Sequence, residues 1–299
     1  MLKQTLYFGN PAYLSVKNKQ LVVKLIDSDE IITRPIEDIG IVILDNWQIT
    51  ITQNVIASLL ENNAAIIHCN NAHLPVGLVL NLDGNTLQSQ RFKTQINASE
   101  PLKKQLWQQI IKAKIENQSL LLKSQNKDIK RLQVMLRNLK TGDTDNYEAQ
   151  AAAYYWKNIF SNYLPNFKRD REGDQPNNLL NYGYAILRAA VARALVGSGL
   201  LPTLGIFHRN QYNAYCLADD IMEPYRPFVD RAVFNYLKEN KYCDFLDTEA
   251  KKYLFQVMQD DVMFGKERSP LFVGLTTTTA SLVACFEGKK RKIKYPTIC

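Results

Sequence analysis

Pro101-Leu102-Lys103-Lys104-Gln105-Leu106-Trp107-Gln108-Gln109-Ile110-Ile111-Lys112-Ala113-Lys114-Ile115 is where the chain changes character. From here onward apolar residues recur at helical spacing. Trp107, Ile110, Ile111, Ile115, Leu121 and Leu122 predict one long amphipathic helix, and Ile129, Leu132, Met135, Leu136 and Leu139 a second. Thr141-Gly142-Asp143 interrupts the pattern. Further helices are expected over 146–162, 178–198, 219–239 and 247–261, and a last one over 280–287. Upstream of Pro101 the runs are short and rich in β-branched and aromatic residues: Leu6-Tyr7-Phe8, Tyr13-Leu14-Ser15-Val16, Leu21-Val22-Val23-Lys24-Leu25-Ile26 and Ile39-Gly40-Ile41-Val42-Ile43-Leu44. Asn18-Lys19 predicts a hairpin turn between two of them. Thr52 is placed to cap one helix bearing Val55, Ile56, Leu59 and Leu60, and Ala64-Ala65-Ile66-Ile67 reads as a buried strand. The polar segment 86–100 reads as a linker. The fold class is therefore α+β: a small β-rich N-terminal domain over 1–85, the linker over 86–100, a larger all-α domain over 101–288, and a basic tail over 289–299.

With 299 residues, 46% hydrophobic and 22% charged, the composition is that of a folded domain rather than a disordered or fibrous chain. The net charge of +8 suits a polyanionic partner. Lys168, Arg169 and Arg171, then Arg209, then the tail residues Lys289, Lys290, Arg291 and Lys292 are the basic groups expected to meet a phosphate backbone. Tyr212 and Tyr215 are placed to stack on unpaired bases. The competing reading of the tail is a solvated, partly disordered end. Cys69, Cys216, Cys243, Cys285 and Cys299 form no CxxC pair and read as reduced, mostly buried thiols of a cytoplasmic protein. The N-terminus lacks the apolar core of a signal peptide. The most apolar region, 185–207, is interrupted by Arg188 and Arg193, so no membrane span is expected.

The chemistry concentrates in Phe207-His208-Arg209-Asn210 and in Leu217-Ala218-Asp219-Asp220-Ile221-Met222-Glu223-Pro224-Tyr225-Arg226-Pro227. One of only three histidines stands just upstream of three carboxylates. Asp220 and Glu223, at i and i+3, share a helix face. A plainer account makes Asp219 or Asp220 an N-cap with a glutamate completing a capping box. Pro224 would remove a helical N–H and free the Asp220 carbonyl, and such local rule-breaking marks functional sites. Glu148 heads a helix with one small-residue side, Glu148-Ala149-Gln150-Ala151-Ala152-Ala153. On its own it is a good helix former at a favourable dipole end. A site made of Glu148, His208 and Glu223 would hold Mg2+ or Mn2+, the imidazole tilting preference toward manganese, and would leave positions open for phosphate oxygen and water. His68-Cys69 with His73 is too irregular for zinc. No P-loop, dinucleotide fingerprint or GxSxG elbow is present. A DNA-binding scaffold without chemistry, or a general nuclease acting for example on RNA, are the competing function classes.

The chain resembles a known family across nearly its whole length: the CRISPR-associated integrase, or adaptation nuclease, that inserts new spacers into the CRISPR array. The resemblance rests on Leu6-Tyr7-Phe8-Gly9-Asn10-Pro11-Ala12-Tyr13-Leu14-Ser15, Ile36-Glu37-Asp38-Ile39, Glu148-Ala149-Gln150-Ala151, Asp174-Gln175-Pro176-Asn177-Asn178-Leu179-Leu180-Asn181-Tyr182-Gly183-Tyr184 and the stretch from Leu217 to Pro227. Length and motif style look closest to the type II branch. The resemblance implies metal ligands at Glu148, His208 and Glu223, with Asp220 a further acid at the site. Arg209-Asn210 departs from the small residues that other branches carry after the histidine. The implied reaction is transesterification, a 3′-hydroxyl of incoming double-stranded DNA attacking a phosphodiester at the edge of a CRISPR repeat. The implied assembly is a homodimer, two of which are bridged by a small CRISPR-associated partner protein. The type II effector nuclease and an accessory adaptation protein are expected to take part.

Overall fold

Short β-branched runs punctuated by turns build the N-terminal part. In this computed structural model the residues described are all but 1–2, 27–29, 72, 174, 240–245 and 299. Cys243, Cys299 and Asp174, named above, thus lie outside the described residues. Strands β1 (Gln4–Phe8), β2 (Ala12–Lys17), β3 (Gln20–Leu25), β4 (Ile31–Pro35), β5 (Ile39–Leu44) and β6 (Thr50–Ile51) lead to helix α1 (Gln53–Glu61) and strands β7 (Ala65–Cys69) and β8 (Pro75–Val79). They form two four-stranded sheets, ordered β1-β5-β7-β8 and β4-β3-β2-β6. Asn18 and Lys19 take φ of 52° and 60°, as a two-residue hairpin between β2 and β3 requires. Thr52 precedes α1 as expected, but its hydroxyl makes no cap bond and is buried without a partner. Strand β4 was not legible: it is an edge strand with most side chains exposed, so it lacks an apolar alternation.

The period of two along β5 joins the two halves of the protein. Every residue of β5 is buried. Val42 and Leu44, with Ala64 and Ile66, pack toward α1 and the second sheet. Ile41 and Ile43, with Ala65 and Ile67, belong instead to the core of the helical region. This sheet is therefore covered on both faces, which is why β5 reads as a continuous apolar run.

The helical region comprises α2 (Gln88–Ile96), α3 (Glu100–Ser124), α4 (Lys130–Asn138), α5 (Tyr147–Ile159), α6 (Asn177–Gly197), α7 (Cys216–Met222), a 3-10 turn at Glu223–Tyr225, α8 (Arg226–Glu239), α9 (Thr248–Gln256), the hairpin β9 (Asp261–Phe264) and β10 (Glu267–Pro270), and α10 (Leu271–Phe286). The helix expected over 219–239 is thus split at Pro224, and the last helix begins at Leu271, well before position 280. The segment 86–100 is not a linker. It holds α2, whose Gln95 bonds the carbonyls of Leu201 and Leu204, both at 3.0 Å. Polar composition misled because α2 is amphipathic and its buried contact is made by a glutamine. Nor is the tail a loose end. Ile293 and Ile298 are buried, and the Ile298 N–H donates to Asn117 at 3.1 Å. Helix α6 is long and apolar enough to cross a membrane by length and composition alone, but 78% of its apolar window is buried inside the protein.

One buried ion pair ties the strand-rich part to α9. Lys251 Nζ lies 2.7 Å from Asp45, which also accepts from Tyr7 at 2.6 Å and contacts His73 Nδ1 at 2.9 Å. Burial pushes the Asp45 carboxyl up, and hydrogen bonds from Lys251, Tyr7 and His73 outweigh it and hold it low. His73 is thus a partner of Asp45, not a zinc ligand. Lys251→Met leaves that carboxylate buried and short of its cation. The expected loss is about 3–5 kcal/mol, read as a lower denaturant midpoint. Most of it should return in the Asp45→Asn/Lys251→Met double variant.

Candidate active site

Helix α3 passes beneath the site. Ser99 caps it by accepting from the Leu102 N–H, and Pro101 sits in its first turn. Its buried stripe runs Trp107, Ile110, Ile111, Lys114, Ile115, with a lysine where the spacing calls for an apolar side chain. Helix α5 approaches from one side. Gly142 and Asp143 turn the chain with φ of 78° and 51°, and the Asp143 carboxylate accepts the N–H groups of Tyr147 at 2.8 Å and Glu148 at 2.9 Å. That cap fixes Glu148 in the first turn of α5. From the other side comes the 3-10 turn of Glu223, pinned when Asn117 of α3 donates to the Pro224 carbonyl at 2.8 Å. Pro224 thus closes one helix and places the next.

The two glutamates meet around one cation. Lys114 Nζ lies 2.5 Å from Glu148 Oε1 and 2.6 Å from Glu223 Oε2. Arg226 Nε lies 2.8 Å from the other Glu223 oxygen. Burial would raise the Glu223 carboxyl, but Arg226 and Lys114 prevail and hold it down at about 2. Burial would lower the Lys114 ammonium, and Glu223 and Glu148 instead raise it. The Glu223 Oε2 atom is buried and, apart from this charge contact, has no aligned hydrogen bond.

His208 stands on the loop before α7 and is held by Asp220. The Asp220 carboxylate, wholly buried, accepts the N–H groups of Ile206 at 2.5 Å, Phe207 at 3.0 Å and His208 at 3.3 Å, and touches His208 Nδ1 at 2.6 Å. A carboxylate only accepts, so the neutral ring carries its proton on Nδ1 and keeps its lone pair on Nε2. The Asp220 hydrogen bond raises the imidazole pKa against burial, and Glu223 adds to the rise, which puts the ring within electrostatic reach of the carboxylates. Gly205 permits the wrap, since a Cβ there would collide with the His208 carbonyl. Phe207 stacks on Trp107 with centroids 4.1 Å apart, and Arg209 pairs with Glu100 at 2.6 Å. Asp220 therefore acts through His208 rather than as a free acid. Asp219 is not the cap of α7: it is buried and binds Arg188 and Asn213, both at 2.7 Å.

Beside Arg226 opens a cleft of about 680 Å³ whose lining includes four arginines, Arg169, Arg171, Arg188 and Arg226, together with Asn178, Asn181 and Tyr184. Arg169 is less free than its neighbour Lys168. It bonds Asn177 at 3.0 Å and Asn181 at 2.6 Å and lies against the rings of Trp156 and Tyr184. Behind the cleft, buried Asp230 accepts from Tyr155 at 2.8 Å and from Tyr184. Burial raises the Asp230 carboxyl to about 7, against the pull of both tyrosines and of Arg226. Tyr155 is on the Glu148 helix, and the Arg226 guanidinium lies 4.5 Å from the Tyr184 ring centroid. Both glutamates are thus braced through the same buried carboxylate.

The donor set fits a hard divalent cation: two carboxylates already gathered round a positive charge, one buried carboxylate oxygen lacking an aligned hydrogen bond, and an imidazole with a fixed tautomer. Glu148 and Glu223 are brought together. His208 stays at the rim, and among the described residues no three His, Cys, Asp or Glu side chains close into a ligand cluster. Lys114, Arg226 and Asp143 were missed from sequence. The signal for Lys114 was there, as a cation inside an apolar stripe.

The chain matches a family profile described as CRISPR associated protein Cas1 over residues 6–262. A CRISPR-associated endonuclease Cas1 of Neisseria meningitidis serogroup C is 35% identical, the alignment covering 100% of this chain and 97% of that protein. Among solved structures, a casposase bound to integration product superposes with a TM-score of 0.79 at 20% identity, over 98% of this chain and 93% of that one. The Cas6-RT-Cas1–Cas2 complex gives 0.74 at 22% identity, over 97% of this chain and 35% of that larger one. At these identities the structural likeness is one of fold.

Proposed function

This chain belongs to the Cas1 family of CRISPR-associated proteins, and we propose that it is a metal-dependent DNA integrase and endonuclease that inserts short DNA fragments into a CRISPR array. One observation carries the reading: Glu148 and Glu223, from separate helical elements, share one cation, with an imidazole locked by Asp220 in electrostatic reach of Glu223. Glu148, Glu223 and His208 Nε2 would hold Mg2+ or Mn2+. Bound there, the ion supplies Lewis acidity to a phosphodiester oxygen and to an attacking hydroxyl. The chain's own groups position the strands. Arg171 and Arg188 line the cleft next to the carboxylates and suit phosphates on either side of the reacting one. The incoming 3′-oxygen forms a new P–O bond as the P–O bond at the repeat edge breaks, and the departing strand keeps a free 3′-hydroxyl. The sum of phosphodiesters is unchanged, so no external energy source is needed.

Exposed Lys168, Arg171, Lys290, Arg291 and Lys292 are free to follow a duplex backbone, and Tyr212, 88% exposed, to stack on an unpaired base. Arg209 and Lys289 would first leave Glu100 and Glu287. Exposed Tyr13, Ile26, Ile31 and Trp47 on the strand-rich part support a homodimer. The Cas2-containing structural neighbour supports a small bridging partner, and the motif style supports the type II branch with its effector nuclease and accessory protein. The test is strand transfer of a short duplex with free 3′ ends into a repeat-bearing plasmid. Product is expected with Mn2+ or Mg2+ and none after chelation. DNA binding without metal-dependent product would favour the scaffold reading, and equal cleavage of RNA the general nuclease.

A further inference from the structure

Lys114 has no structural reason to be a lysine. It occupies the inner stripe of α3, between Ile110, Ile111 and Ile115, and is 7% exposed. Burying an ammonium there is costly unless its charge is matched. Among the described residues the match is supplied by two groups, Glu148 at 2.5 Å and Glu223 at 2.6 Å. Arg226 already neutralises one side of Glu223, whereas Glu148 has Lys114 as its ion-pair partner. Without a cation between them the two carboxylates would repel across a space sheltered from water.

We propose that Lys114 is the resident counterion of this carboxylate pair: it holds Glu148 and Glu223 at ligand spacing while the site awaits a divalent ion, and gives way when the ion enters. The inference rests on the metal-dependent reading above. Metal uptake is then an exchange of one cation for another. Lys114 keeps the carboxylates preorganised and, by competing, weakens the metal's hold. It is a positioning residue, and removing its charge separates those two effects.

The experiment uses the full chain and Mn2+ alone, with free Mn2+ read by electron paramagnetic resonance and unfolding temperature measured with and without the ion. Wild type, Lys114→Met, Lys114→Gln and Glu148→Ala are compared. Lys114→Gln retains a hydrogen-bond donor for the carboxylates and guards against misfolding of the methionine variant. Both Lys114 variants are expected to bind Mn2+ roughly ten- to a hundredfold more tightly, the range set by groups that tune ligand carboxylates, and to gain more in unfolding temperature on adding it. Unchanged or weaker Mn2+ binding by folded Lys114 variants, with binding lost in Glu148→Ala, overturns the counterion role and leaves the metal site standing. Absence of Mn2+ binding in all four proteins overturns the metal reading and this inference together.

Discussion

Glu223→Gln protein is expected to bind DNA with the salt dependence of wild type and to lose strand transfer by about a thousandfold, some 4 kcal/mol of transition-state stabilisation. The substitution preserves shape and removes one charge. Its carboxyl is held ionised at about 2 by Arg226 and Lys114, so at any working pH wild type presents a full negative charge here. Glutamine would leave Lys114 and Arg226 facing a neutral amide, with Lys114 keeping Glu148 as its ion-pair partner and Arg226 losing the carboxylate it binds. Breaking such a pair from one side costs about 3–5 kcal/mol of stability. The pH dependence has a definite sign. A carboxyl lowered on folding from 4.5 to about 2 contributes stability that is present above pH 4.5 and is lost as pH falls toward 2. The gap in unfolding free energy between wild type and Glu223→Gln should therefore be widest near neutrality and narrow below pH 4.5. A Glu223→Gln protein that transfers strands at half the wild-type rate would remove Glu223 from the proposed metal site.

What the sequence disclosed about this site depended on range. Helix α3, the central strand β5 and the Asn18-Lys19 hairpin were legible because each is specified by its own periodicity or turn chemistry. The division of α7 from α8 was hinted at by Pro224, whose ring cannot continue a helix, but the consequence was not: the 3-10 turn aims Glu223 back at α3. The meeting of Glu148 with Glu223 is a tertiary contact, and spacing alone says nothing of it. Resemblance to the family supplied that pairing. Neither spacing nor resemblance supplied Lys114, because a lone lysine in an apolar stripe has the same signature as a side chain snorkelling to the surface. The linker reading of 86–100 and the competing loose-end reading of 289–299 fail for one reason: buried Gln95 and Asn117 bond main-chain groups of distant segments, which polar composition does not disclose. Asp219 and Asp220, each open to a cap reading on spacing alone, are both buried.

Asp220 gives the second large effect, and two substitutions divide its roles. Asp220→Ala orphans the N–H groups of Ile206, Phe207 and His208 and releases the imidazole. Leaving several buried donors unpaired is expected to cost about 3–5 kcal/mol, seen as a fall in unfolding temperature, with the loop from Gly205 to His208 exchanging its amide hydrogens faster. Strand transfer should drop by roughly a hundredfold, the size seen when a partner that orients a metal-bound histidine is removed. Asp220→Asn separates loop from ring. One amide oxygen can still accept main-chain N–H groups, so most of the stability should remain. The neutral amide no longer obliges Nδ1 to carry the proton, and it withdraws the hydrogen bond that most raises the His208 pKa. Imidazole then deprotonates at lower pH but without a fixed tautomer, so Mn2+ affinity should fall by about tenfold at neutral pH while folding is nearly preserved. Wild-type Mn2+ affinity and strand transfer in Asp220→Asn would mean that Asp220 serves the loop alone, and that the orientation of His208 comes from its edge-on contacts with Trp107 and Phe207.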